Sequence, residues 1–194
     1  MFLRQRQGKS RWRIEMLARG ESMGRVVVVL AMLAMLTAAT CPAAEAKVFR
    51  QYDHRLQFEV PDEWLCTSQS PHQFLAIFTA PEMRYEINTL TLVHQILPAT
   101  HTLTDYVVST VASQEKMLWQ YRLLDKQLLD NAYAPYYRLA FTWRLSWEQQ
   151  YFVLQMIICR YPDVYVLTGT CPASLREVYE PLFQRVFDSF AFVG

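Results

Sequence analysis

Glycine is scarce in this chain. Of 194 residues only five are glycine, at Gly8, Gly20, Gly24, Gly169 and Gly194. No glycine-rich loop is therefore present to cradle a phosphate with backbone N–H groups. Cysteine is rarer still, and Cys41, Cys66, Cys159 and Cys171 include no C-x-x-C pair, which excludes a thioredoxin-like redox centre. The four histidines, His54, His72, His94 and His101, lack H-x-x-x-H and H-E-x-x-H spacing. His94 and His101 could share a metal only if Asp105 or Glu86 joined them, so surface histidines are expected and no metal site. No G-x-S-x-G elbow occurs, and the adjacent Asp53 and His54 have no serine or cysteine whose proximity can be argued. These absences leave no catalytic residue to name and call for no cofactor.

Charge is also sparse, and it is uneven. Seven of the 19 Lys/Arg and three of the 18 Asp/Glu residues fall within positions 1–46, leaving twelve basic against fifteen acidic residues beyond. A slightly acidic remainder without a Lys/Arg stripe argues against nucleic-acid binding.

The basic excess belongs to a leader. Val26 to Ala39 is an uninterrupted apolar run preceded by Arg25, and Ala44-Glu45-Ala46 has the small residues of a signal-peptidase site before Lys47. Residues 1–46 are thus expected to be a signal peptide, with Met23 as an alternative start, and residues 47–194 a single domain. Two alternatives stay open. An uncut leader is a membrane anchor, since Val26 to Ala44 carries no charge. Cys41 is a candidate for lipidation, although Ala38-Ala39-Thr40 before it and Pro42 after it match a lipobox poorly. Export places the domain outside the cytoplasm, in the periplasm or secreted, where disulfides persist. Of the three remaining cysteines, Cys66 and Cys171 lie just beyond strand ends and are expected to pair, with Cys159 a buried free thiol.

The whole chain is 52% hydrophobic, and beyond Phe49 its periodicities alternate between two kinds. Leu56, Phe58 and Val60 mark a strand with one buried face, ended by Pro61-Asp62, after which Trp64 returns to the core. Gln73 to Thr79 is apolar on both faces, and Tyr85 to Ile96 alternates. A helix starts near Thr102, where Thr102 and Asp105 have capping-box spacing, and ends around Trp119. Tyr121 to Asp130 is extended but poorly patterned. Tyr136 to Cys171 then supplies three strands, of which Tyr151 to Arg160 is apolar almost throughout, as a doubly covered central strand should be. The last helix is expected over 174–187, with Ser174 and Glu177 as a second capping box and Pro181 as a bend. Strands before, between and after two helices predict an α+β fold, an antiparallel sheet flanked by helices.

Three local patterns carry a family resemblance: Leu56-Gln-Phe-Glu-Val-Pro-Asp-Glu-Trp64, the meander of long strands, and Tyr179-Glu-Pro-Leu-Phe183 followed by Asp188-Ser-Phe190. In this order the chain resembles the PsbP/DcrB-like family over Phe49 to Phe192. The resemblance implies a Mog/PsbP-like α/β/α sandwich and, for exported bacterial members, a small envelope protein without enzymatic chemistry. It implies shape more firmly than task.

One surplus of residues remains. Tyr137, Trp143, Arg144, Trp147 and Tyr151 crowd one hairpin end, and Trp, Tyr and Arg together mark contact surfaces. Most such aromatics serve strand packing, and Trp147, in the turn, is the one expected to stay exposed. The chain therefore reads as a non-enzymatic exported binding or accessory module acting on an unknown envelope protein or small ligand. The alternatives are an envelope hydrolase with dispersed acid/base residues, which a deep pocket holding two carboxylates or a His–carboxylate pair would favour, and a membrane-tethered structural protein.

Overall fold

The structure, a computed structural model, describes residues 46–68, 74–81 and 87–194. Cys41, Ala44, His72 and Glu86 lie outside the described residues, as does the apolar run from Val26. No described helix is long and apolar enough to cross a membrane.

Seven strands form the main sheet, all paired antiparallel: β3 (Leu65–Ser68), β4 (Phe74–Thr79), β5 (Thr89–Ile96), β6 (Arg122–Leu129), β7 (Tyr136–Arg144), β8 (Gln150–Arg160) and β9 (Asp163–Pro172), in the order β3-β4-β5-β9-β8-β7-β6. A smaller sheet, β1-β2-β10, joins β1 (Ala46–Gln51), β2 (Leu56–Pro61) and β10 (Ala191–Phe192). Two helices complete the described residues, α1 (Leu103–Met117) and α2 (Arg176–Asp188).

The side-chain period of two decides which layer each residue joins. Along β8, Phe152, Leu154, Met156 and Ile158 enter a core with Phe183, Val186 and Phe187 of α2 and with Leu56, Phe58 and Val60 of β2. Val153 and Ile157 enter a second core with Leu139, Phe141, Val166 and Val107 of α1. Both faces are covered, so β8 is buried without a break from Tyr151 to Ile158. The flanks are unequal. The face opposite α1 is covered by α2 and the three-stranded sheet together, so the molecule is richer in sheet than a helix-flanked α/β/α sandwich. Phe49, Phe190 and Phe192 explain the difference: packed on Phe58, Phe78 and Tyr165, they make a second sheet layer out of what reads in sequence as flanking tail.

The α1 cap forms as its spacing predicts. The Asp105 N–H donates to Thr102 Oγ1 at 3.2 Å, and Asp105 Oδ2 accepts from the Thr102 N–H at 2.9 Å and its hydroxyl at 2.7 Å. The second box does not form. Ala173–Leu175 winds instead into a 3-10 turn, and α2 begins at Arg176 without a side-chain cap and continues through Pro181. Gly169 has a packing role: the Phe183 ring lies on its Cα, and a Cβ there would come within 2.4 Å of the ring.

The expected Cys66–Cys171 bridge is corrected. Cys171 is a free thiol, fully buried on β9. Cys66 sits on β3, three strand spacings away in the order β3-β4-β5-β9, which is about 14 Å at the usual strand separation, against a bridge's Cα separation of about 4.4–6.8 Å. Burial pushes the Cys171 thiol up to about 12. Cys159 is half-buried.

Candidate functional site

Two connections build one end of the main sheet. Between β7 and β8, the Ser146 hydroxyl accepts from the N–H groups of Glu148 and Gln149 at 3.3 and 3.1 Å, and the Leu145 N–H donates to Gln149 O at 3.0 Å. A serine hydroxyl thus closes the turn and leaves Trp147 at its tip. Between α1 and β6, Gln120 takes a left-handed backbone, φ 50°. That reversal sets Trp119 O beside β7, where it accepts from the Arg144 N–H at 2.9 Å.

Trp119 and Trp147 meet there. Their rings are perpendicular with centroids 4.7 Å apart, an edge-to-face contact that suits the aromatic quadrupole. Trp147 remains 75% exposed and Trp119 41%. Met117 and Leu145 are exposed alongside them. Arg144 supports both tryptophans, since its guanidinium donates to the Trp147 carbonyl as well.

Of the five residues expected at this surface, two belong to it: Trp147 at the tip and Arg144 beneath. Tyr151 is corrected, being 2% exposed and packed on Trp143 with centroids 5.5 Å apart. Those two residues are direct partners in the β7–β8 register, so they share a face and bury each other. Trp143 is half-buried against the α1-side core. Tyr137, also half-buried, spends its hydroxyl on Thr104 at 3.0 Å, tying α1 to β7. Trp119 was missed by sequence reasoning. Its only sequence signal is its place just past the helix end, and nothing in the chain order says that this point abuts the β7–β8 turn.

A groove of about 440 Å³ opens between α1 and the sheet. Its lining includes Gln95, Ser109, Ser113, Gln114, Gln155 and Thr168 over an apolar floor of Val93 and Val166, with no charged side chain. Gln155 is the buried polar residue of β8. Its amide donates to Thr168 Oγ1 at 3.0 Å while its oxygen accepts from Gln114 Nε2 at 3.2 Å. Tyr106 donates to Gln95 at 2.5 Å. The groove can hydrogen-bond an uncharged ligand, and it holds neither a carboxylate nor a histidine for acid/base work.

Among the described residues, no three His, Cys, Asp or Glu side chains are placed to hold a metal ion. His94 is not paired with His101 or Asp105; its Nε2 lies 2.6 Å from Asp163 Oδ1. This His–carboxylate pair, which sequence reasoning did not find, does not line the groove under α1. His101 contacts Thr100, and Asp105 serves the helix cap, which holds its carboxyl below the usual range through hydrogen bonds from the Thr102 backbone and side chain.

The sequence profile of the family described as DcrB matches residues 56–189. A comparison with curated proteins gives no match. Several solved structures share the fold. Cyanobacterial PsbP from Synechocystis sp. PCC 6803 is 16% identical, covering 80% of this chain and 97% of its own, with TM-score 0.59. The Saccharomyces cerevisiae Ran-binding protein Mog1p is 11% identical over 78% and 97%, with TM-score 0.56. LpqN of Mycobacterium tuberculosis, involved in cell envelope biogenesis, is 14% identical over 77% and 91%, with TM-score 0.56. Likeness at these identities establishes shape.

Proposed function

The chain belongs to the DcrB family, and from that premise we propose that it is a non-catalytic accessory protein of the bacterial envelope that binds a protein partner through the Trp119–Trp147 end of its sheet. The observation that carries this reading is the exposed tryptophan pair itself. A tryptophan left 75% exposed at a turn tip, its backbone held by Arg144 and its ring set edge-to-face on Trp119, gives up little freedom on binding. Trp and Arg are also the residues that dominate contact energies. The fold relatives are compatible with such a role: Mog1p binds Ran, and LpqN is involved in cell envelope biogenesis.

Export follows from the leader. Cleavage after Ala46, at the end of Ala44-Glu45-Ala46, leaves Lys47 as the first residue of a soluble domain, whereas acylated Cys41 tethers it. In the folded domain Lys47 belongs to β1, and its ammonium donates to the carbonyls of Asp62 and Trp64 at 2.6 and 2.7 Å. The mass of the mature N-terminus separates these outcomes.

The partner reading is tested by placing a photocrosslinking residue at position 147 or at Tyr52, which is 79% exposed elsewhere. One envelope protein should be captured from position 147 and not from 52, and W119A should abolish the capture. Equal capture from both positions, or a catalytic turnover that disappears when one acidic residue or histidine is mutated, overturns the proposal.

A further inference from the structure

His54 and His94 are forty positions apart in sequence and touch in the fold. His54 lies in the turn between β1 and β2, whose Arg55 N–H donates to Tyr52 O at 3.1 Å. His94 is on β5, opposite Tyr165 of β9. The imidazole centroids are 4.4 Å apart, tilted 53°. Tyr165 packs on both, at 5.6 Å from His54 and 5.2 Å from His94, and its hydroxyl lies 3.2 Å from His54 Nδ1. The contact ties the two sheets together, since His54 sits in the turn joining two strands of the small one and the other members lie on strands of the large one. β10 closes the same corner: the Val193 N–H donates to Arg55 O at 2.8 Å, and Phe192 packs on Tyr165.

We propose that the His54–His94 contact is a proton-operated latch, which holds the β1–β2 turn on the seven-stranded sheet while the pair carries at most one proton and releases it when the pair carries two. Two facing imidazoles tolerate one charge, because the neutral ring is then an apolar and hydrogen-bonding neighbour. With both protonated, like charges face each other at van der Waals distance. Asp163 Oδ1 lies 2.6 Å from His94 Nε2, within ion-pair distance of that ring. On the other ring, His54 Nδ1 faces the hydroxyl of the fully buried Tyr165.

The groups facing His54 from the packed elements are His94 on β5, Asp163 and Tyr165 on β9, and Asp53 in its own turn, with Arg160 at the end of β8 acting on Tyr165. Burial, and then His94, hold the His54 imidazole below its usual value of 6.5, while Asp163 and Asp53 act in the opposite direction. Tyr165 is pushed up to about 12, chiefly by burial, so its hydroxyl keeps its proton throughout. Arg160, whose guanidinium lies 4.9 Å from the Phe192 ring, adds positive charge at the same corner. This reading is independent of any partner at the tryptophan end.

Amide hydrogen exchange of the full chain at about pH 7.5 and about pH 5 spans the window in which histidine changes charge. After correction for intrinsic rates, protection of β1 and β2 should fall by about tenfold for each pKa unit by which His54 is depressed. Protection of β8 and β9 should stay constant. In H54F, which keeps a ring but takes no proton, and in H54Q, which keeps a hydrogen-bonding tip, the pH dependence of β1 and β2 should vanish. H101Q should behave as the wild type. A pH response that survives in either folded His54 variant, or a loss of protection spread evenly over both sheets, overturns the latch. So does an imidazole titration placing His54 at or above 6.5.

Discussion

Phe183 of α2 seats its ring on the backbone of Gly169, in the middle of β9. A Cβ at position 169 would lie 2.4 Å from Phe183 Cγ, closer than any side chain can accept. The helix therefore approaches the sheet only because this strand position has no side chain.

G169A should accordingly destabilise the domain by about 1–3 kcal/mol, the usual cost of overpacking a core. Chemical denaturation of the purified domain measures it. G169A combined with F183L should recover part of the loss, since the two positions compete for one space.

The α1 cap gives a second expectation. T102A removes the oxygen that accepts from the Asp105 N–H and should cost about 1 kcal/mol. The pH dependence has a definite sign. Asp105 is held below its usual value by Thr102, so the unfolded chain binds its proton first. Its contribution is present above the unfolded value of 3.8 and is lost as pH falls through the depressed folded value. Acid titration of T102A should show a weaker loss over that window than the wild type.

His54 titrates with the same sign at higher pH. Its folded value lies below 6.5, so its contribution is complete above 6.5 and declines as pH drops below it. The thermal midpoint of the wild type should fall from neutral pH to about pH 5 more steeply than that of H54F.

Cys171 should resist modification. A fully buried thiol pushed up to about 12 has almost no thiolate at neutral pH. An alkylating reagent applied to the native protein should leave Cys171 intact by peptide mass, and label it once the domain is unfolded in denaturant.

W147A should leave stability within about 0.5 kcal/mol of the wild type, as an exposed turn position allows. S146A should cost more, because the Ser146 hydroxyl satisfies two N–H groups of the turn. Comparing their denaturation midpoints separates the tryptophan's role from that of the scaffold beneath it.

What could be read from the chain, and what could not, divides at the same places. The alternation Leu56-Phe58-Val60, the unbroken apolar run of β8, the Thr102–Asp105 cap and the exposure of Trp147 all follow from the spacing of residue types along one element. Spacing determines which face of an element is apolar, and local hydrogen-bonding groups determine where it starts. The strands β1, β3 and β10 escaped notice because they are short or polar on one side, and their pairing supplies the order that their sequence does not. Ser174 and Glu177 had the spacing of a cap, yet Ala173–Leu175 winds into a 3-10 turn and the helix starts at Arg176.

The sequence by itself determined the mixed α and β class, the doubly covered central strand and the Thr102–Asp105 cap. Only the tertiary structure decided that Cys171 lies three strands from Cys66, that Tyr151 faces inward against Trp143, that Trp119 reaches Trp147, and that His54 meets His94 beside Asp163. The reason is physical. A chain's local pattern fixes which way each side chain faces, whereas strand order and register fix which distant side chains it then meets, and those depend on the summed packing of both cores rather than on any one stretch.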